Sequence, residues 1–354
     1  MKHIATVAAL LALAAGTASA QSSVTLFGVV DANLRNVDNS GVGSNTSMTS
    51  GGLNSSRFGF RGVEDLGGGL KAGFWLESDI ASDTGMTSVD GRLFSRRSTV
   101  SLMGNFGEVR LGRDYNPTGL DTFSGDPFFA VGVGGATGSS GVARFSYGPL
   151  AQANYYRSDN LISYFTPNIA GFYGSVGFSL DEGVNLSNLP AGNQARKYAG
   201  GRLGYANGPI DATVSYGATD VDITGGKYKT TSIGGSYDFG VAKLMGRYFR
   251  DELVAVGKEN RILLGVTVPV GAHLIRASYN RSDATGGTDA YNASDATKLA
   301  LGYVHNLSKR TALYGTLARI SNKGGATFAI AGGNSGMAAG GKSTGYEMGL
   351  KHSF

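Results

Sequence analysis

Sixteen segments of alternating polarity fill this chain from residue 23 to its last residue. Each is close to the 9–11 residues that a tilted strand needs to cross lipid. The last one shows the pattern most clearly. Tyr346, Met348, Leu350, His352 and Phe354 fall on one parity, and Ser343, Gly345, Glu347, Gly349, Lys351 and Ser353 on the other. A strand has period two, so this segment has one apolar and one polar face. It stops on an aromatic residue, and aromatics belong at a bilayer interface. No apolar run after residue 20 approaches eighteen residues, which excludes spanning by helices.

The sixteen segments lie near 23–35, 52–64, 70–80, 95–104, 106–115, 156–166, 171–181, 195–206, 209–219, 228–238, 241–250, 259–269, 272–281, 296–306, 311–320 and 342–354. Their connections alternate in length. Seven are tight and carry turn residues, among them Asp65-Leu66-Gly67-Gly68, Asn207-Gly208-Pro209 and Asp238-Phe239-Gly240. Eight longer polar loops rich in Gly, Ser, Thr, Asn and Asp lie between them. Even strand number with short turns on one side and longer loops on the other predicts an all-β fold, a closed 16-stranded antiparallel transmembrane β-barrel. Closure also leaves no open sheet edge. A soluble sandwich or solenoid would instead give connections of mixed length.

The first twenty residues read differently. Lys2 and His3 precede a short apolar run, and Thr17-Ala18-Ser19-Ala20 has the small-x-small pattern of a cleavage site. Residues 1–20 are therefore expected to be a signal peptide that is removed, leaving 21–354 as the barrel. Removal takes Lys2 and no acid, so the formal charge falls from +5 to +4. Export and the scattered lysines and arginines argue against nucleic acid as a partner. With no cysteine, neither a disulfide framework nor a thiolate site is available.

Sixteen strands enclose more space than side chains fill. The inward parity carries Arg57, Gly59 and Arg61, then Lys71, Glu77 and Asp79, then Glu108 and Arg110, then Asp211, Thr213 and Ser215. Buried without partners, such charges would cost several kcal/mol each, whereas water in the lumen keeps them solvated. The longest loop covers 114–155, roughly forty residues. Loops of that length are usually functional. Its Asp126-Pro127-Phe128-Phe129 knot and the glycines that follow suit close packing, and the loop is expected to fold into the lumen.

Other motifs carry no chemistry. Gly336 to Ser343 spells a phosphate-binding loop, but the residues after it alternate as a strand where a helix is required. Asp238-Phe239-Gly240 reads as a turn. His273, His305 and His352 are isolated in sequence, with no metal-ligand spacing, so neither a metal nor another cofactor is expected. No Gly-x-Ser-x-Gly elbow supports a Ser/His/Asp set, and the chain reads as a non-enzyme with no catalytic residues.

The chain resembles the general-diffusion porins of Gram-negative outer membranes, of the beta-proteobacterial type, and is most similar to their anion-selective members. The resemblance rests on Ser22 to Asp31, Ser56 to Leu70, Gly107 to Arg113, Asn160 to Pro167, Leu301 to Thr311 and the terminal His352-Ser353-Phe354. It implies a homotrimer in outer-membrane lipid that passes small anions and hydrophilic solutes by passive diffusion; a substrate-specific anion channel is the alternative. It also implies a third loop folded inward to a constriction, with Asp114, Asp126, Pro127 and Phe128 on that loop. An arginine cluster is implied there, matching Arg57, Arg96 and Arg157, with Glu77 nearby. Arg61, Arg97, Lys71, Asp79 and Arg110 are secondary lumen candidates, and Phe354 matches the family's C-terminal assembly signal. Alternation back from Val100 and Leu102 points Arg97 inward and Arg96 outward, so either a bulge shifts the register or Arg97 is the lumen residue.

Overall fold

The computed structural model describes residues 23–87, 92–145, 155–180, 197–221 and 226–354. The expected signal segment 1–20 lies outside the described residues. The strands are β1 (Ser23–Asn39), β2 (Gly43–Ser50), β3 (Arg57–Gly67), β4 (Leu70–Asp79), β5 (Arg97–Gly104), β6 (Gly107–Tyr115), β7 (Arg157–Phe165), β8 (Phe172–Ser179) and β9 (Tyr198–Asn207). They continue with β10 (Ile210–Val221), β11 (Gly226–Asp238), β12 (Lys243–Leu253), β13 (Gly257–Val270), β14 (His273–Thr285), β15 (Ala296–Asn306), β16 (Thr311–Asn322) and β17 (Lys342–Ser353).

From β3 to β17 each strand pairs antiparallel with the next, and β17 pairs back onto β1 from Val29↔Ser353 to Asn39↔Ser343. The cylinder is closed. Both β2 and β3 lie antiparallel to β1, β2 against Ala32 to Asn39 and β3 against Ser23 to Val29. They are two pieces of one barrel strand interrupted at residues 51–56, so the 17-stranded sheet is a barrel of sixteen strands among the described residues. The expected second strand at 52–64 is corrected accordingly. Its lower part starts at Arg57, and an upper piece at 43–50 falls where the sequence predicts loop, because Gly43-Ser44-Asn45-Thr46-Ser47 carries no apolar alternation. The loops are also less uniformly long than expected. Only residues 40–42 separate β1 from β2, and only residues 254–256 separate β12 from β13, because β1, at 17 residues, and β13, at 14, run past the lipid-crossing length.

The outer face carries the apolar parity. Val24, Leu26, Phe74, Val176, Leu264, Leu317 and Met348 are all exposed, Met348 by 63%. Phe58 is half-buried, with its ring edge-on to Phe60. A soluble protein would bury such a belt; here it is the surface that meets acyl chains.

The seam closes at the terminus. The backbones of Gly28 and Phe354 exchange two hydrogen bonds of 3.1 Å. A Cβ on Gly28 would stand 2.3 Å from Phe354 Cζ and 2.8 Å from the Arg57 carbonyl oxygen. We expect Gly28→Val to push the Phe354 ring off the seam and to lower the unfolding temperature in detergent by several degrees, as read by heat-modifiable migration of the folded protein on a gel.

The chain between β6 and β7 packs against the inner wall. After β6 the chain enters helix α1 (Pro117–Phe123), capped by Asn116, whose Oδ1 accepts from Gly119 N at 2.7 Å, with proline in the first turn. The loop then crosses the lumen to the far wall. Asp121 on α1 pairs with Arg202 on β9 at 2.6 Å and Arg247 on β12 at 3.2 Å. Lys298 on β15 donates to the carbonyls of Gly135 and Ser140, each at 2.5 Å. Glu347 on β17 accepts from Val133 N at 3.0 Å. A small apolar core beneath the loop unites Phe128, Val133 and Val142 with Val37, Ala300, Ala318 and Ile320 of the wall. A second helix, α2 (Asp289–Asn292), lies in the loop between β14 and β15.

Candidate functional site

Beside the loop lies a cavity of about 800 Å³ bounded by Phe27 of β1, by β3 to β6, by the start of β7 and by the inner face of the loop. Arg57, Arg96, Arg157 and Glu77 all line it. Glu77, on the inward parity of β4, gathers the cluster. Arg96 Nε donates to its Oε1 at 2.5 Å, Arg57 Nε lies 3.6 Å from the same oxygen, and Trp75 Nε1 donates to Oε2 at 2.9 Å. Asp79 takes the other side of Arg96, at 3.2 Å from Nη1. Arg157 differs. Its Nη2 donates to the Tyr115 hydroxyl at 2.5 Å and its guanidinium lies 4.0 Å from the Tyr115 ring centroid. Among the described residues it has no carboxylate within ion-pair distance.

The choice between Arg96 and Arg97 resolves into both. Arg97 pairs across the ladder with Glu77, and Arg96 N donates to the Glu77 carbonyl at 3.1 Å. Two consecutive arginines thus face one glutamate, as in a bulge, and both reach the cavity. Arg97 lies over Trp75 at 4.5 Å and pairs with Asp114 at 3.3 Å.

The secondary candidates divide. Arg61 and Asp79 line the cavity, and Arg61 stacks over Phe27 and Trp75 at 5.2 and 5.0 Å. Arg110 is held by Glu108 at 2.9 Å and Asp114 at 2.7 Å and does not line it. Lys71 is exposed near the turn end of β4, away from the cluster.

The loop residues divide too. Asp114, expected on the loop, is instead part of β6 and lines the cavity, whereas Asp126, Pro127 and Phe128 are on the loop and buried on its other side. Asp126 accepts from the backbone N–H groups of Phe128, Ala130 and Ala136, the Pro127 carbonyl accepts from Arg276 at 3.2 Å, and Phe128 packs under Arg276. They anchor the loop. Its open face is Leu120, Phe123, Phe129, Ala130 and Val131.

Arg113 also lines the cavity, paired with Asp159 at 2.6 Å, although alternation from Arg110 would turn it outward. A register shift between Gly112 and Asp114 brings it in. Gly112, at φ +124°, is the sequence trace of that shift. The histidines require a correction. His273 and His305 are isolated in sequence but are cross-strand partners, with rings stacked at 4.8 Å on the outer face, and His352 meets Thr311.

The profile of the Gram-negative porin family matches residues 5–325 of this chain. The chain belongs to the Gram-negative porins. It is 42% identical over 352 residues to outer membrane porin protein 32 of Delftia acidovorans, covering 96% of this chain and 97% of that one. It is 33% identical to an outer membrane porin protein of Bordetella pertussis, covering 89% of this chain and 93% of that one. The solved anion-selective porin from Comamonas acidovorans superposes with a TM-score of 0.82 at 41% identity, over 94% of this chain and all of that one. An OmpF structure from Salmonella typhi, at 14% identity and TM-score 0.69, shares the fold alone. This porin is thus an outer-membrane β-barrel, and its family makes channels.

Proposed function

We propose that this porin passes small hydrophilic solutes by passive diffusion and prefers anions, and that Arg57, Arg96, Arg157 and Glu77 form its constriction. The observation that carries the reading is the charge balance of the open cavity. Among the described residues, six arginines line it (Arg57, Arg61, Arg96, Arg97, Arg113 and Arg157) against three carboxylates (Glu77, Asp79 and Asp114), a surplus of three positive charges. Arginine stays protonated at any relevant pH and offers several donors from a planar fork. A fixed positive wall in a narrow water-filled passage raises the local concentration of anions and repels cations. An anion exchanges hydration water for guanidinium contacts and leaves because no single arginine encloses it. Glu77 keeps Arg57 and Arg96 from repelling one another and so holds both in place. The likeness to an anion-selective porin at 41% identity supports the same reading.

Removal of residues 1–20, assembly as a homotrimer and a role for Phe354 in assembly complete the proposal. The test is swelling of liposomes containing the mature protein. Equal-sized anionic, neutral and cationic organic solutes should enter in that order of rate. Faster entry of the cation would refute the preference and leave the channel standing. Rates that saturate for one anion alone would favour a substrate-specific channel.

A further inference from the structure

The cavity has two unlike faces. The barrel side presents the guanidinium groups; the loop side presents Leu120, Phe123, Phe129 and Val131. Phe129 is the unusual member. It is 65% exposed, directly after three buried residues, so packing does not explain it. Its backbone stands at φ +51° and that of Ala130 at φ +58°. A left-handed conformation costs a residue with a Cβ about 1–2 kcal/mol, and glycine or asparagine would relieve it. The three N–H groups collected by Asp126 hold this strained turn in place. A strained backbone that carries a large apolar ring into an aqueous passage points to function.

An inorganic ion gains nothing from an apolar strip. An anion with a flat hydrocarbon body gains on both sides, its charge toward the guanidinium wall and its ring against the strip. We infer that this porin favours small aromatic monocarboxylates over inorganic and aliphatic anions of similar charge, and that Phe129 sets this preference. The inference rests on the anion reading above.

Bi-ionic reversal potentials in planar bilayers test it, with potassium benzoate or potassium acetate on one side and potassium chloride on the other. In the unmodified porin the benzoate-to-acetate permeability ratio should exceed the ratio of their free-solution mobilities. Phe129→Ala should lower it roughly two- to fivefold, the range of one lost aromatic contact. Phe129→Leu, which keeps apolar area but loses the ring, should give a ratio between those of the parent and Phe129→Ala. Chloride-over-potassium preference should hold within about twofold in both variants, since no charge changes. The inference is overturned if the ratio in the unmodified porin matches or falls below the mobility ratio. It is equally overturned if Phe129→Ala leaves the ratio unchanged, or raises it, the behaviour of a plain steric plug. Intact chloride preference with either result fails this inference alone; loss of chloride preference in the unmodified porin fails the anion reading as well.

Discussion

Replacing Arg57 and Arg157 together by serine should remove most of the chloride preference of this porin. These two are the least neutralised of the implied cluster. Arg157 meets Tyr115 and no described carboxylate, and Arg57 shares Glu77 with Arg96 at the longer distance, 3.6 Å against 2.5 Å. In water a unit charge about 6 Å from a passing ion contributes roughly 0.7 kcal/mol. That favours chloride and opposes potassium by the same amount, so each arginine moves their permeability ratio up to about tenfold. Screening reduces this at high salt, and the two effects overlap, so the double variant should fall by one to two orders of magnitude in dilute salt. Arg281→Ser is the control. That arginine is exposed, pairs with Asp283 at 2.8 Å and does not line the cavity, and its loss should change the ratio by less than about twofold. Reversal potentials across a potassium chloride gradient read all three proteins. A double variant as selective as the parent would mean that the preference arises elsewhere.

The second large effect concerns the loop that narrows the lumen. Glu347 holds it at the far wall. One oxygen accepts from Val133 N at 3.0 Å, and the other accepts from Arg35 Nε and Nη2 at 3.0 and 2.8 Å. Both partners of the ion pair are buried, and without Glu347 the Arg35 guanidinium keeps, among the described residues, only the Ala331 carbonyl. Breaking a buried pair by removing one partner costs about 3–5 kcal/mol. Glu347→Ala should therefore loosen the loop without opening the barrel wall, whose backbone ladder does not use that side chain. Single-channel conductance should rise, and limited trypsin treatment should cut at Arg144 in the variant but not in the parent. Unchanged conductance together with unchanged resistance would show that Lys298 and the apolar core hold the loop unaided.

The distinction between these two classes of residue was only partly legible in the sequence. Period two encodes which face a side chain takes, so Arg57, Arg61, Glu77 and Asp79 fell on the lumen side by alternation alone. Alternation fails at each irregularity in the ladder. Arg113 reaches the cavity through a register shift and Arg96 from the position just before β5, where its N–H shares the Glu77 partner of Arg97, and local polarity encodes neither. The extra strand at 43–50 was hidden because its residues are small and polar on both parities apart from Met48, so period two leaves no trace in it. The loop was legible as a plug but not in its orientation. Phe128 and Phe129 are neighbours with the same side chain, yet one is buried under Arg276 and the other faces water, because a left-handed backbone at Phe129 reverses the chain. The His273–His305 stack likewise depends on cross-strand register, set by turns at a distance from both residues.

One recording bears most directly on the whole account. The purified mature protein, added to a planar bilayer separating dilute from concentrated potassium chloride, should give stepwise ohmic conductance with a reversal potential of the sign set by chloride. Absence of steps would contradict a closed aqueous cylinder, and a potential of the potassium sign would contradict an arginine wall that governs what passes.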